Sequence, residues 1–400
     1  VTSPEDVVAA FYDRHPYPPP VPDLDDHART ARDPARLRVD HHTVWPEAAY
    51  RDELSILVAG CGTSQAARYA IRRPRARVVG IDVSTTSIDR TRELAARHRL
   101  DNLELRELAV EDAGRLDERF DLVVCTGVLH HLRDPAAGLA VLRNLLVPSG
   151  AIHLMVYAPY GRTGVYMLQD YCRRLGITTE PDEITDLVAS LREIPLGHPV
   201  SHMLRDTPDF RNADTLADAL LHPRDRAYSV PQLFDLLRGA GLAFGRWLRQ
   251  APYSPRCGAL AAIPHSERIA ALAPEDQYAV VELFRGTIAR HSVIARRDDR
   301  GPVQPIGFGD DHHLGYVPLR PHSVRLVEDR LPSGAAAALL NRAHAHPDLV
   351  MFVDEYQRRI FESIDGHRNI AELDPDAGGF VERLWWHDLV VLDASAAGVR

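Results

Sequence analysis

The sequence predicts an α/β fold, a mostly parallel sheet with helices on both faces, followed by a small separate α+β unit. Three observations predict it. Ile56-Leu57-Val58-Ala59 is an apolar run that breaks into Gly60-Cys61-Gly62. Val78-Val79-Gly80-Ile81 is a second apolar run, ending in Asp82, 22 residues after Gly60. From residue 54 onward, short apolar segments alternate with amphipathic ones, the rhythm of βαβ units. In such a sheet parallel strands present their C-terminal ends side by side. Glycines there let backbone approach a ligand closely, and the acid accepts hydrogen bonds from a ribose diol.

Taken in order, residues 4–14 suit a short helix. Phe11-Tyr12-Asp13-Arg14-His15-Pro16-Tyr17-Pro18-Pro19-Pro20 must then leave helix for an extended path. Positions 21–50 are polar and proline-punctuated, so 1–50 reads as an N-terminal lid or wrapping segment. The expected strands are 55–59, 77–82, 103–107, 120–125 and 151–157, with helices at 64–72, 85–98 and 135–146. A mostly helical insertion, 158–227, lies at the C-terminal edge of the sheet, where open α/β folds bind ligands. Ser229-Val230-Pro231-Gln232 opens a helix to about 239. Leu242–Arg249 and Gly258–Ile263 then read as a closing antiparallel pair, which bounds the domain at 51–265. Residues 266–310 read as a helix near 274–290 and a charged linker. In 311–400, helices are expected at 347–363 and 377–387, with a final strand at Leu389–Leu392. Helices ending in a short wing are similar to winged-helix modules.

Composition excludes several classes. No apolar run approaches the ~18–20 residues of a membrane helix. Val1-Thr2-Ser3-Pro4-Glu5-Asp6 has neither a positive nor an apolar stretch of a secretory signal, so a cytoplasmic location is expected. Cys61, Cys125, Cys172 and Cys257 are scattered, which speaks against a disulfide framework. All 47 basic residues are arginine, so lysine-anchored pyridoxal chemistry is excluded. A net charge of −9 offers no field for nucleic acid, and 311–400 carries nine arginines against fourteen acids. The cluster Arg68, Arg72, Arg73, Arg75 and Arg77 reads as a solvated helix face. No H-x-x-x-H or Cys/His group has ligand spacing on one element, so no metal is expected.

The third position of the glycine loop discriminates between nucleoside cofactors. A dinucleotide fingerprint wants glycine where this chain has Gln65. A ligand without phosphates does not need it, and its carboxylate can take the loop N–H groups and helix N-terminus. At Val58-Ala59-Gly60-Cys61-Gly62-Thr63 the chain resembles the class I S-adenosylmethionine-dependent methyltransferases. Phe120-Asp121-Leu122-Val123-Val124-Cys125-Thr126-Gly127-Val128-Leu129-His130-His131 and the turn Val147-Pro148-Ser149-Gly150 carry the same resemblance. It implies a Rossmann-like seven-stranded sheet and S-adenosyl-L-methionine as cofactor. Ala59, Gly60, Cys61, Gly62 and Gln65 would form its loop, and Asp82 with Val83 would take the ribose. Ala109 and Val110 would read the adenine edge, and Thr126, Gly127 and Val128 would meet the methionine half. Many relatives carry an acid at the position of Ala109, so the role of Glu111 or Asp112 is open. Tyr12 and Pro16-Tyr17-Pro18 also resemble the Y-x-x-x-P-Y-P start of a bacterial group of these enzymes, as a lid over the cofactor or as a packing strap.

Methyl transfer is an in-line displacement from an activated donor, so the protein aligns the acceptor and, where needed, removes its proton. His130 is the expected base and Tyr157 its expected catalytic neighbour. Tyr12, Tyr17, His131, Arg162 and Tyr166 are the expected acceptor-binding residues, Arg162 either gripping an anionic group or pairing with an acid. His198, His202, Arg205, His222, Arg226 and Tyr228 are a further polar set that could shape substrate choice. The expected activity is methylation of a small-molecule acceptor. The rivals are a peptide or protein acceptor docked through 311–400, a non-catalytic cofactor-binding scaffold, and a nicotinamide dehydrogenase, which Gln65 disfavours. A homodimer is compatible with the sequence.

Overall fold

A computed structural model describes residues 4–30, 33–201, 203, 212–300 and 306–395. The chain divides into two compact units, one of residues 1–31, 53–243 and 285–297, the other of 32–52, 244–284 and 298–400. These limits differ from the boundaries expected at 50, 265 and 310.

The first unit holds six strands and the first two residues of β6 from a seven-stranded sheet in the order β3-β2-β1-β4-β5-β7-β6. Its strands are β1 Ser55–Ala59, β2 Arg77–Asp82, β3 Leu103–Glu107, β4 Phe120–Thr126, β5 Leu146–Tyr157, β6 Leu242–Trp247 and β7 Arg290–Arg297. The pairs β1·β2, β2·β3, β1·β4 and β4·β5 are parallel, and β7 runs antiparallel to β5. Ile56, Leu57, Val58 and Ala59 have no exposed surface, as expected of a strand covered by helices on both faces. The chain order reverses beside β1, where β2 and β4 flank it, and this is the crevice in which such sheets bind ligands.

The helices α1 Pro4–Arg14, α4 Gln65–Arg72, α5 Thr85–His98 and α6 Pro135–Asn144 match the expected segments, apart from a shorter end to α6. Ser84 caps α5 by accepting from the Ser87 N–H, and Asp134 caps α6 by accepting from Ala137. The insertion is helical as expected, with α7 Thr163–Leu175, α8 Pro181–Arg192 and α9 Ala213–Leu221. Its apolar faces form their own core of Val165, Leu168, Ile184, Leu187 and Leu216, into which Phe11 of α1 packs. The helix opened by Ser229, α10 Val230–Gly239, carries a capping box with Gln232.

Several expectations are corrected. The seventh strand is Arg290–Arg297, not Gly258–Ile263. Gly258-Ala259-Leu260-Ala261-Ala262 is a short helical turn entered through Gly258 at φ +63°; alanine has little preference for a pleated surface. Arg290–Arg297 conceals its strand character behind arginine at both ends, whereas His291, Val293, Ile294 and Ala295 are buried. Positions 21–50 contain the helices α2 Asp25–Thr30 and α3 Pro34–Val44.

The second unit contains α3, α11 Ser266–Ala270, most of α12 Pro274–Arg285 and a small α+β region. That region has an antiparallel sheet in the order β11-β10-β9, from β9 Val324–Val327, β10 Ala337–Asn341 and β11 Val350–Val353. A two-stranded sheet pairs β8 Val317–Leu319 with β12 Val391–Asp393. Its helices are α13 Glu355–Ser363, α14 Ile370–Leu373 and α15 Gly378–Trp386. The helix expected from 347 therefore begins only after Asp354, whose capping box with Gln357 ends β11 sharply. Leu339, Met351, Val353, Phe361, Val381 and Leu384 fill its core.

Asp393 fixes the end of β12 in this unit. One oxygen accepts from the Ser395 hydroxyl at 2.6 Å; the other lies 3.2 Å from Arg38 and 3.2 Å from His42. Burial pushes this carboxyl up, but His42 and Ser395 beside it outweigh burial and hold it below the usual range. A depressed folded value means a contribution present above the unfolded value near 3.8 and lost as pH falls through the folded one. We expect Asp393→Asn to lower the stability of this unit at pH 7, by about 1–3 kcal/mol for a buried charge-assisted network. The gap to the wild type should narrow below about pH 3.8. Thermal unfolding followed at both pH values checks this; a gap independent of pH would contradict the assignment.

Candidate active site

The glycine loop follows directly from β1. Gly60 and Gly62 adopt φ values of +70° and +54°, which side chains rarely tolerate. The Gly60 and Cys61 N–H groups donate to the Ile81 carbonyl at 2.8 and 2.9 Å, so the turn is held against the end of β2. A Cβ at Gly60 would stand 2.2 Å from Val128 Cγ2, and one at Gly62 would stand 2.9 Å from the Tyr17 carbonyl. No room for a side chain exists at either position.

Asp82 ends β2 beside this loop. Its Oδ2 accepts from the Gly62 N–H at 2.8 Å and its Oδ1 from the Ser84 N–H at 3.0 Å. Burial raises its pKa, while these backbone donors counter the rise. A carboxylate accepts about four hydrogen bonds in all, so each oxygen keeps capacity for a diol. Gln65 donates to Thr126 Oγ1 at 2.7 Å, tying the start of α4 to the end of β4 where a dinucleotide site would have its third glycine.

A cavity of about 290 Å³ opens over these strand ends. Gly60, Cys61, Gly62, Gln65, Asp82, Val83, Ala109, Val110, Thr126, Gly127 and Val128 all border it. Of the expected cofactor residues only Ala59 does not; it is the fully buried last residue of β1. Of the two acids left open by the sequence, Glu111 borders the cavity. So does half-buried Arg68, whose pKa burial lowers, and the solvated-face reading fails at that position. Arg75 and Arg77 pair with Glu53, Glu104 and Glu118 on the surface.

The N-terminal segment forms one wall. Tyr12, Tyr17 and Pro18 border the cavity, and Thr63 Oγ1 donates to the Pro18 carbonyl at 2.7 Å. Asp13 accepts from Ser84 Oγ at 2.7 Å and from the Thr86 N–H at 3.1 Å, adding a second cap to α5. The Tyr12 hydroxyl donates to Asp218 on α9 at 3.0 Å, and His15 meets Asp214 at 3.0 Å. The segment thus joins the glycine loop and α5 to the insertion.

The expected acceptor residues separate into two shells. His131 and Tyr157 border the cavity, together with Met155, Arg224 and Arg290. His130, Arg162 and Tyr166 do not. His130 is fully buried, its ring 4.0 Å from that of Tyr157 and 4.2 Å from that of His131. Burial drives its pKa well below the ordinary histidine value. The expected base therefore lies behind the wall, and its neighbour His131 is the imidazole that reaches the cavity. His131 Nδ1 lies 2.6 Å from the Arg224 carbonyl, which can only accept, so Nδ1 carries the proton and Nε2 the lone pair. Burial also lowers the His131 pKa and raises that of Tyr157, keeping both rings uncharged near neutrality.

Arg162 is buried over the Tyr157 ring at 3.6 Å and lies 3.4 Å from Asp225, so the pairing reading holds. It also donates to the Tyr166 hydroxyl at 3.3 Å. His222 packs against His131 with ring centres 3.9 Å apart, and the Tyr228 N–H donates to the Tyr157 carbonyl. His198 accepts locally from the Val200 N–H, and His202 and Arg205 lie outside the described residues. Arg224 and Arg290 were missed by sequence reasoning. Arg290 is brought to the site by its pairing opposite Tyr157, which only the register of β7 reveals.

Residues 57–152 match a family described as a methyltransferase domain. The segment is a class I S-adenosylmethionine-dependent methyltransferase domain. An uncharacterized protein of Synechococcus sp. is 30% identical over 274 residues, covering 66% of this chain and 65% of that protein. A ubiquinone biosynthesis O-methyltransferase of Neisseria meningitidis is 32% identical over 119 residues, or 26% of this chain and 50% of the relative. The chain thus spans under two thirds of the first of these relatives and half of the second. Among solved structures, PKMT2 from Rickettsia typhi in complex with AdoHcy shares the fold over 94% of this chain and 77% of its own, with a TM-score of 0.64 at 14% identity.

In this methyltransferase domain Gly60→Ala should abolish measurable S-adenosylmethionine binding and lower stability by about 1–3 kcal/mol, the scale for overpacking a filled site. Calorimetric titration and thermal unfolding of the variant check it. Wild-type affinity would mean that the loop yields to the added methyl group.

Proposed function

We propose that the whole chain transfers the methyl group of S-adenosylmethionine to a small-molecule acceptor. The observation that carries this reading is one cavity bordered both by the glycine loop and Asp82 and by Tyr12, Tyr17, His131 and Tyr157. The donor's ribose goes to Asp82, its adenine to Ala109 and Val110, and its methionine half to Thr126 and Gly127. Arg68 is suited to the amino-acid carboxylate, because a desolvated guanidinium binds a carboxylate strongly and with fixed geometry. The sulfonium methyl then faces the aromatic wall.

The leaving group is already activated, so alignment and exclusion of water supply most of the catalysis. An acceptor lone pair attacks the methyl carbon as the carbon–sulfur bond breaks, and S-adenosylhomocysteine departs. Tyr12 and Tyr17, carried by the N-terminal segment, shield this step from solvent. Tyr157 orients the acceptor through a hydrogen bond, and the His131 ring shapes the wall beside it. The domain's likeness to ubiquinone biosynthesis O-methyltransferases supports a small acceptor of this kind.

The reading is tested by incubating the full chain with S-adenosylmethionine and a panel of small hydroxy, carboxy and amino acceptors, with gain of one methyl group followed by mass spectrometry. Transfer to at least one acceptor supports it; release of S-adenosylhomocysteine only with protein or peptide acceptors overturns it. Asp82→Ala should weaken donor binding by about 1.5–3 kcal/mol, the scale for hydrogen bonds to a charged group. Unchanged affinity would put the ribose elsewhere. His131→Ala should lower turnover far more than donor affinity, and more than His130→Ala does. The reverse order would return the role to His130.

A further inference from the structure

Behind the acceptor wall, three separate elements bring together ligand-type side chains that no single element displays. His130 and His131 come from the turn after β4, Asp225 from the stretch before α10, and His222 and Asp218 from the end of α9 and just beyond it. Ligand atoms of His130, His131 and Asp225 all lie within 4.8 Å of one another, as do those of His131, Asp218 and His222. The His130 ring has no exposed surface, and the Asp225 side chain is 3% exposed.

Hydrogen-bond chemistry separates the two groups. His222 Nδ1 accepts from the Arg224 N–H at 3.0 Å, so its lone pair is engaged and the proton of the neutral ring sits on Nε2. That nitrogen cannot ligate a cation while the bond holds. His131 is the opposite case, its Nδ1–H donating to the Arg224 carbonyl and its lone pair remaining on Nε2. Asp225 Oδ2 accepts from Gln169 at 2.9 Å and faces Arg162 at 3.4 Å, while Oδ1 has no hydrogen-bond partner among the described residues. Neither ring nitrogen of His130 has one either. Buried polar groups in folded proteins are almost always paired, and an unsatisfied set points to a bound group.

From this juxtaposition we propose that His130, His131 and Asp225 bind a first-row divalent cation of the zinc, cobalt or iron type. Two imidazoles and one carboxylate are the donor set such ions favour, with further positions left to water. The outer contacts agree: one imidazole is oriented by a backbone carbonyl and the carboxylate by an amide and a guanidinium, which fix tautomer and aim. Arg162 does not displace the cation, since it takes Oδ2 and lies over the Tyr157 ring, leaving Oδ1. His131 also borders the cavity, which provides the entry path. A cation here would lock the His131 ring in place and so set the shape of the acceptor wall.

The test uses the full chain, stripped with chelator and titrated with Co2+ alone, reading the visible d–d absorption and the stoichiometry by calorimetry. One equivalent with a nitrogen and oxygen ligand spectrum is expected. Asp225→Asn, which keeps the side chain's shape, and His130→Ala should each weaken binding tenfold or more. Far-ultraviolet circular dichroism checks that both stay folded, and if His130→Ala does not, Asp225→Asn carries the test. Failure to bind one equivalent, or affinity unchanged in folded Asp225→Asn, overturns the site. The readout is metal binding, independent of whether the chain methylates a small acceptor.

Discussion

The site depends on a steric constraint at the glycine loop. Gly60 and Gly62 occupy left-handed backbone with neighbours too close for any side chain, Val128 on one side and Tyr17 with Pro18 on the other. The loop therefore locks three things at once. It holds the end of β1 against the Ile81 carbonyl, it turns the Gly62 N–H onto Asp82, and it seats the N-terminal segment above the strand ends. A ligand that enters meets backbone and a carboxylate already fixed in position, so little ordering remains to oppose binding.

Burial then divides the acceptor side by charge. His130, His131 and Tyr157 are each shifted toward their uncharged forms, chiefly by desolvation. The pair Arg162 and Asp225 face each other one layer deeper. The His131 and Tyr157 part of the cavity wall is aromatic and neutral, and Arg224 and Arg290 border the same cavity. A neutral wall suits a sulfonium donor, which carries its own positive charge.

Much of this was legible in the sequence because it rests on local rules. Gly60, Gly62 and Asp82 announce themselves by residue type and spacing, and eight of the eleven expected neighbours of the cofactor that border the cavity lie within two residues of a strand end. What was not legible depends on contacts between distant segments. His130 and His131 are adjacent and chemically alike, and only the docking of the insertion decides which one faces inward. Arg290 is hidden in a strand whose arginine ends mask an apolar middle. Arg68 looks like one more surface arginine of α4 until the side chain is followed to the cavity. Gly258–Ile263 misleads for a different reason: the run is apolar, but its alanines favour no sheet. The capping box at Asp354 was present in the sequence and would have moved the start of α13 to its observed place.

The central claim is that the crevice over β1 and β2 takes a nucleoside donor without phosphates. Its most direct test is calorimetric titration of the full chain with S-adenosylmethionine, S-adenosylhomocysteine and NADH. The account predicts saturable binding of the first two and none of NADH. Binding of NADH with no binding of S-adenosylmethionine would contradict it.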